Sequence, residues 1–175
     1  MKSFGYLLAG IGAASLPASA IAADQKCVSR AESQAVVAHL MPSLLNSLER
    51  NCSGKIGDDT YLSRNAANLA RNASATSRNA WPVTKAVFER QGGEELPDND
   101  MLLEFGRSAI AEGITGGLKA KECSTVNALI EQLAPLPPKN FANVFALFLE
   151  VGMNESKDSP IKVCAAPATR SQAGG

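Results

Sequence analysis

The sequence predicts an all-α fold: a single domain of five to seven short helices with two disulfides, after an N-terminal signal peptide. Three observations carry that expectation. Apolar residues recur at helical spacing in several segments, no stretch alternates with the period of two that a half-buried strand needs, and four cysteines follow an export leader.

The leader comes first. Met1-Lys2-Ser3 places one positive charge before an apolar run over residues 4–16, and Pro17 leads into Ala18-Ser19-Ala20-Ile21-Ala22-Ala23. Charge, short apolar run and an Ala-x-Ala site in that order define a secretory signal; a bilayer span needs about 20 apolar residues. The predicted organisation is residues 1–22 as signal peptide, 23–153 as helical domain and 154–175 as a C-terminal tail, tethered through Cys164 and disordered beyond it. The Ala-rich leader points to a bacterial source and to the periplasm or extracellular medium. Asp24-Gln25-Lys26 before Cys27 is not the small apolar context of a lipid-modified cysteine. Asn-x-Ser triplets at Asn51, Asn72 and Asn154 are glycan acceptors only in a eukaryotic secretory route.

Ser29-Arg30-Ala31-Glu32 forms a capping box. Behind it Val37, Leu40, Met41, Leu44 and Leu48 share one side of a helix, interrupted by Pro42. Asp58-Asp59 is expected to cap an Ala- and Asn-rich helix that breaks at Trp81-Pro82, with a short helix from Pro82 stopped by Gly92-Gly93. A helix from Asp98 or Asp100 is expected to turn Leu102, Phe105, Ala109 and Ile110 inward and to fade at Gly116-Gly117. Its Ala109, Gly113 and Gly117 recur every four residues, so a neighbouring helix can approach closely there. Ser124 is expected to cap a helix to Ala134, and Pro135-Leu136-Pro137-Pro138 links it to a last helix over 139–151, closed by Gly152. Phe141, Val144, Phe145 and Phe148 make the best aromatic face in the chain.

Cys27, Cys52, Cys123 and Cys164 are assigned to two disulfides. They have no C-x-x-C spacing and no histidine cluster that would mark a redox or zinc site. The proline link makes the last two helices an antiparallel hairpin, which puts Cys123 and Cys164 at one end and leaves Cys27 to Cys52. The second pairing requires the chain to reverse near Leu40-Met41-Pro42, whereas the wheel keeps phase across Pro42. The local pairing is the one expected.

Catalytic chemistry finds little support. His39 is the only histidine and falls nearly opposite the apolar stripe, beside Asn46 and Arg50, so it is expected on the surface. No nucleophile motif accompanies it, and Ser159-Pro160-Ile161-Lys162 matches S-x-x-K only by chance. Glu94, Glu95, Asp98, Asp100 and Glu104 are dense in carboxylates but lack the spacing of a calcium loop. No metal site, cofactor or catalytic residue is expected.

The unusual pattern is a triplet repeated every seven residues: Arg64-Asn65-Ala66, Arg71-Asn72-Ala73 and Arg78-Asn79-Ala80. Heptad spacing lines the arginines along one side of a helix, and residues 60–88 contain no acid to neutralise them. Residues 89–112 hold seven acids and two bases, so a solvated face pairing partly with that segment is the plainer reading. Docking of an acidic exported or envelope protein through Arg64, Arg71 and Arg78 is the functional one. Loss of the leader leaves 16 basic and 17 acidic residues, a net charge of about −1, which excludes bulk attraction to nucleic acid. No transmembrane segment is expected in the processed chain. The functional expectation is a non-enzymatic, adaptor- or inhibitor-like protein that binds a macromolecule. The alternative is a small apolar-ligand carrier using a cavity between the Phe141–Phe148 face and the Gly113–Gly117 helix.

Overall fold

Capping, small-residue spacing and side-chain polarity together build five helices, seen in a computed structural model that describes residues 27–97, 99–155, 163 and 164. They are α1 (Arg30–Ile56), α2 (Tyr61–Gly92), α3 (Asp100–Thr115), α4 (Ala120–Leu133) and α5 (Pro138–Glu155), and the described residues form no strand. Residues 1–26, which include the leader, Asp98, and residues 156–175 apart from Val163 and Cys164, which include the Ser159–Lys162 pair and most of the tail, lie outside the described residues.

α1 is the central element and packs against all four others, most extensively against α2. Its capping box forms: Ser29 N donates to Glu32 Oε2 at 2.8 Å and Glu32 N to Ser29 Oγ at 3.3 Å. The helix runs through Pro42, so the expected chain reversal is absent. Proline removes one hydrogen bond and crowds the preceding turn. Here α2 lies alongside both halves, and burial of Val37, Met41, Leu45 and Leu48 holds them in line.

α2 is antiparallel to α1 and likewise does not break at Trp81-Pro82. Ala66, Ala70, Ala73, Ser77, Thr84 and Val87 are buried, on both sides of the proline. Small residues at alternating spacings of three and four let the two backbones approach. Pro82 itself is exposed, so water can serve the carbonyl it leaves without an amide partner. Thr60, not Asp58-Asp59, occupies the N-cap, and Gly93 closes the helix in the left-handed conformation at φ 72°.

The third helix turns the opposite face inward from the one expected. Asn99 caps it through Met101 N and Leu102 N, and Ala111 packs with Leu40 and Leu44 of α1. Leu102 and Phe105 are 54% and 74% exposed, and Ala109 and Ile110 also face out. Polarity decides the choice of face. Buried Ser47 of α1 contacts Thr115 Oγ1 at 2.7 Å and donates to Glu112 Oε2 at 2.8 Å, while Asn51 Nδ2 reaches Glu112 Oε1 at 3.0 Å. Turning the helix over would bury Ser47 without partners, at about 1–3 kcal/mol for each unsatisfied group.

α4 begins five residues earlier than expected, with Lys119 instead of Ser124 at the N-cap and its amide held by Glu122 Oε2 at 2.7 Å. α5 runs past Gly152 to Glu155. Both pack against α1 and α2 more than against each other, so the hairpin of the last two helices does not form. Phe141 is buried and Phe145 half-buried, but Phe148 is 55% exposed, so the aromatic face is core only in part.

These differences reverse the cysteine pairing. The bridges are Cys27–Cys164 and Cys52–Cys123, with Cα atoms 5.0 and 5.4 Å apart. An unbroken helix carries Cys52 some 35 Å from the end where Cys27 stands, which forbids the local bridge. Cys123 lies inside the first turn of α4 and is buried against the C-terminal half of α1. Val28 and Val163 form an isolated parallel bridge beside the terminal disulfide, where Cys164 N donates to Val28 O at 2.8 Å.

Candidate functional site

The arginine triplets run along α2 to a cleft at their Arg78 end. Arg64, Arg71 and Arg78 are all exposed, on the side of α2 turned away from the buried alanines. The row extends about 21 Å at 1.5 Å per residue. Arg64 donates to the Asp59 carbonyl and Arg71 to Asn68 Oδ1. Among the described residues none of the three forms an ion pair. Three of the seven acids of segment 89–112 pair elsewhere: Glu89 with Lys85 at 3.8 Å, Glu112 with Arg50 at 3.7 Å, and Glu104 with Arg107. Among the described residues, the expected partial pairing of the row with that segment is not observed.

Arg78 stands at the rim of a cleft of about 670 Å³ between α1, α2 and α3, opposite Asp100. Its floor holds the only histidine and the only tryptophan of the chain, with ring centroids 4.9 Å apart and tilted by 32°. His39 is 3% exposed rather than on the surface. The wheel located one apolar stripe on α1, but α2 and α3 cover the side opposite it.

A carbonyl only accepts, so the 3.1 Å contact between His39 Nδ1 and Ser77 O places the proton on Nδ1. Ser77 Oγ donates to the His39 carbonyl at 2.7 Å and accepts from Arg107 Nη1 at 3.3 Å. Burial holds the imidazole below its ordinary range; the Ser77 carbonyl opposes this, the Arg107 cation adds to it and Glu104 opposes it. His39 is thus neutral at pH 7. Ser77 and His39 are neighbours, yet the hydroxyl proton lies on a backbone carbonyl and not on the imidazole. They do not form a nucleophile–base pair in this arrangement.

Arg107 Nε is buried without a partner. Arg78 and Arg107 line this cleft together with Trp81, and two guanidinium groups suit an anionic or aromatic side chain inserted from outside. Sequence reasoning missed Ser77, Trp81 and Arg107 because they meet only through the packing of α2 against α1 and α3. The signal available was that the single His and single Trp each lie close to a proline in adjoining helices.

A smaller apolar pocket of about 240 Å³ lies between the start of α1, the end of α2 and α3, lined by residues such as Val37, Leu40 and Val87. It is not where the carrier alternative placed a cavity, since Gly113 and Gly117 face open space. Among the described residues no three His, Cys, Asp or Glu side chains are grouped to hold a metal ion, and no helix is long and apolar enough to cross a membrane. Compared with known protein families, curated proteins and solved structures, the chain shows no match.

Proposed function

We propose that this is an exported, non-enzymatic binding protein that docks an acidic protein partner on the outer face of α2. Arg64, Arg71 and Arg78 supply the charge, and the His39–Trp81 cleft beside Arg78 receives a carboxylate or aromatic side chain of the partner. The observation that supports this most is the exposed arginine row without a carboxylate partner among the described residues. Export rests on the leader and on the disulfides, which persist in oxidising compartments. Replacing all three arginines with Gln tests the reading through capture of partners from the native envelope fraction. Binding is expected to weaken and to lose its salt dependence, with the melting temperature almost unchanged because exposed charges contribute within about 0.5 kcal/mol each. Unchanged capture with unchanged stability refutes it. A second reading, carriage of a small apolar ligand, is supported by the pocket around Leu40, though 240 Å³ falls below the ~300–1,000 Å³ usual for ligand sites.

A further inference from the structure

The outward face of α3 carries a pattern the α2 surface does not share. Met101, Phe105, Ala109 and Gly113 recur every four residues and form one inclined ridge on the helix, with Leu102 beside it. Met101 and Phe105 are 80% and 74% exposed, among the most exposed large apolar side chains described. A side chain built at Gly113 or Gly117 would meet nothing within 4 Å. One half of the ridge therefore projects and the other half is hollow, with Ala109 at the midpoint.

We infer that this face binds a second copy of the chain, α3 against α3, antiparallel about a two-fold axis at Ala109. A two-fold interface must be self-complementary, each residue i meeting j while j meets i. Rotation about Ala109 sets Phe105 of each copy over Gly113 of the other, so a projection enters a hollow on both sides of the axis. Charge agrees with this orientation. Exposed Glu94, Glu95 and Asp100 stand at or just before the N-terminal end of α3, whereas at its C-terminal end the exposed cations Lys119 and Lys121, with Arg50 and Lys55 of α1, outnumber Glu112 and Glu122. Antiparallel pairing brings acids to lysines and opposes the helix dipoles favourably, whereas a parallel pair would set like charges together. A 16-residue helix offers a face about 24 Å long. One such pair covers less than the ~800 Å² per partner of a standard interface, so the dimer is weak and concentration-dependent.

Sedimentation of the oxidised protein over a concentration series is the test, with thermal melts to verify folding. Phe105→Ala should weaken self-association at least about tenfold, since two aromatic rings lose their burial per dimer. Gly113→Phe should weaken it as much, because the new ring collides with Phe105 of the other copy. The double variant Phe105→Ala with Gly113→Phe should recover association to within about threefold of the starting protein, by exchanging projection and hollow. Tighter association of Gly113→Phe alone would show a generic apolar patch and overturn the inference. A monomer at every concentration also overturns it: loss of stability in Phe105→Ala would then give the face to another segment of the same chain, and unchanged stability to a different protein.

Discussion

Removing the Cys52–Cys123 bridge should destabilise the protein about twice as much as removing Cys27–Cys164, the reverse of what loop length alone implies. Chain-entropy arithmetic gives ~4.4 kcal/mol for a separation of 71 residues and ~5.0 kcal/mol for 137. Those values assume that the folded state is unaltered by the loss. The assumption suits Cys52 and Cys123, both fully buried where α1, α2 and α4 meet. It fails for Cys27 and Cys164, which are only half-buried and stand at the ends of the described helical region, beside the Val28–Val163 bridge. Cutting their disulfide frees terminal segments in the folded state too, which offsets much of the gain of the unfolded chain, leaving about 2 kcal/mol. The assay is urea unfolding of the paired variants Cys52→Ala with Cys123→Ala, and Cys27→Ala with Cys164→Ala. For a chain of this size ~4 kcal/mol corresponds to a drop of roughly 10 °C in melting temperature. Equal losses, or a loss below about 1 kcal/mol for the core bridge, would refute the reasoning.

The imidazole of His39 is depressed below its ordinary value of 6.5, so the unfolded chain takes up its proton first as pH falls. Stability should be full above about pH 6.5 and decline below it, and His39→Phe, which keeps a ring against Trp81, should flatten that slope in pH-resolved melts. Glu32 is held down by its hydrogen bond with Arg90 at 2.7 Å, with both side chains only about a fifth exposed. Its contribution is present above pH 4.5 and lost in acid, and Glu32→Gln should cost about 2–3 kcal/mol in denaturant titration because it leaves a mostly buried guanidinium without its counter-charge. Thr115→Val preserves shape but removes the oxygen at the centre of the Ser47, Asn51 and Glu112 cluster; a loss of about 1–2 kcal/mol and faster amide exchange confined to α3 are expected.

Local chemistry made part of the fold legible. The Ser29–Glu32 box, the Val37–Leu48 stripe, the stop at Gly92-Gly93 and the all-helical class all followed from spacing. Failures arose wherever a neighbour overrode a local preference. Pro42 and Pro82 are helix breakers in isolation, yet α1 and α2 support each other across both, and neither proline marks an end. A hydrophobic wheel assumes one buried side; α1 is enclosed by several helices, which hid His39 from the analysis and with it the cleft. On α3 the most apolar side lost to a smaller, more polar one that completes hydrogen bonds with α1. The misplaced α4 start then carried Cys123 from a presumed linker into a buried turn and reversed the disulfide assignment. The arginine row was readable because an exposed heptad depends on nothing but its own helix.

The terminal disulfide makes the protein a covalent ring from Cys27 to Cys164, and the second bridge divides that ring in two. Tension applied to the chain ends passes through sulfur and bypasses all five helices, so pulling from either end straightens only residues before 27 and after 164. A processive unfoldase or protease that engages an end meets a doubled strand instead of a thread. A single cut in a surface loop likewise opens a ring without releasing a fragment. A channel narrow enough to admit only a single extended strand would therefore pass this molecule before oxidation and not after it.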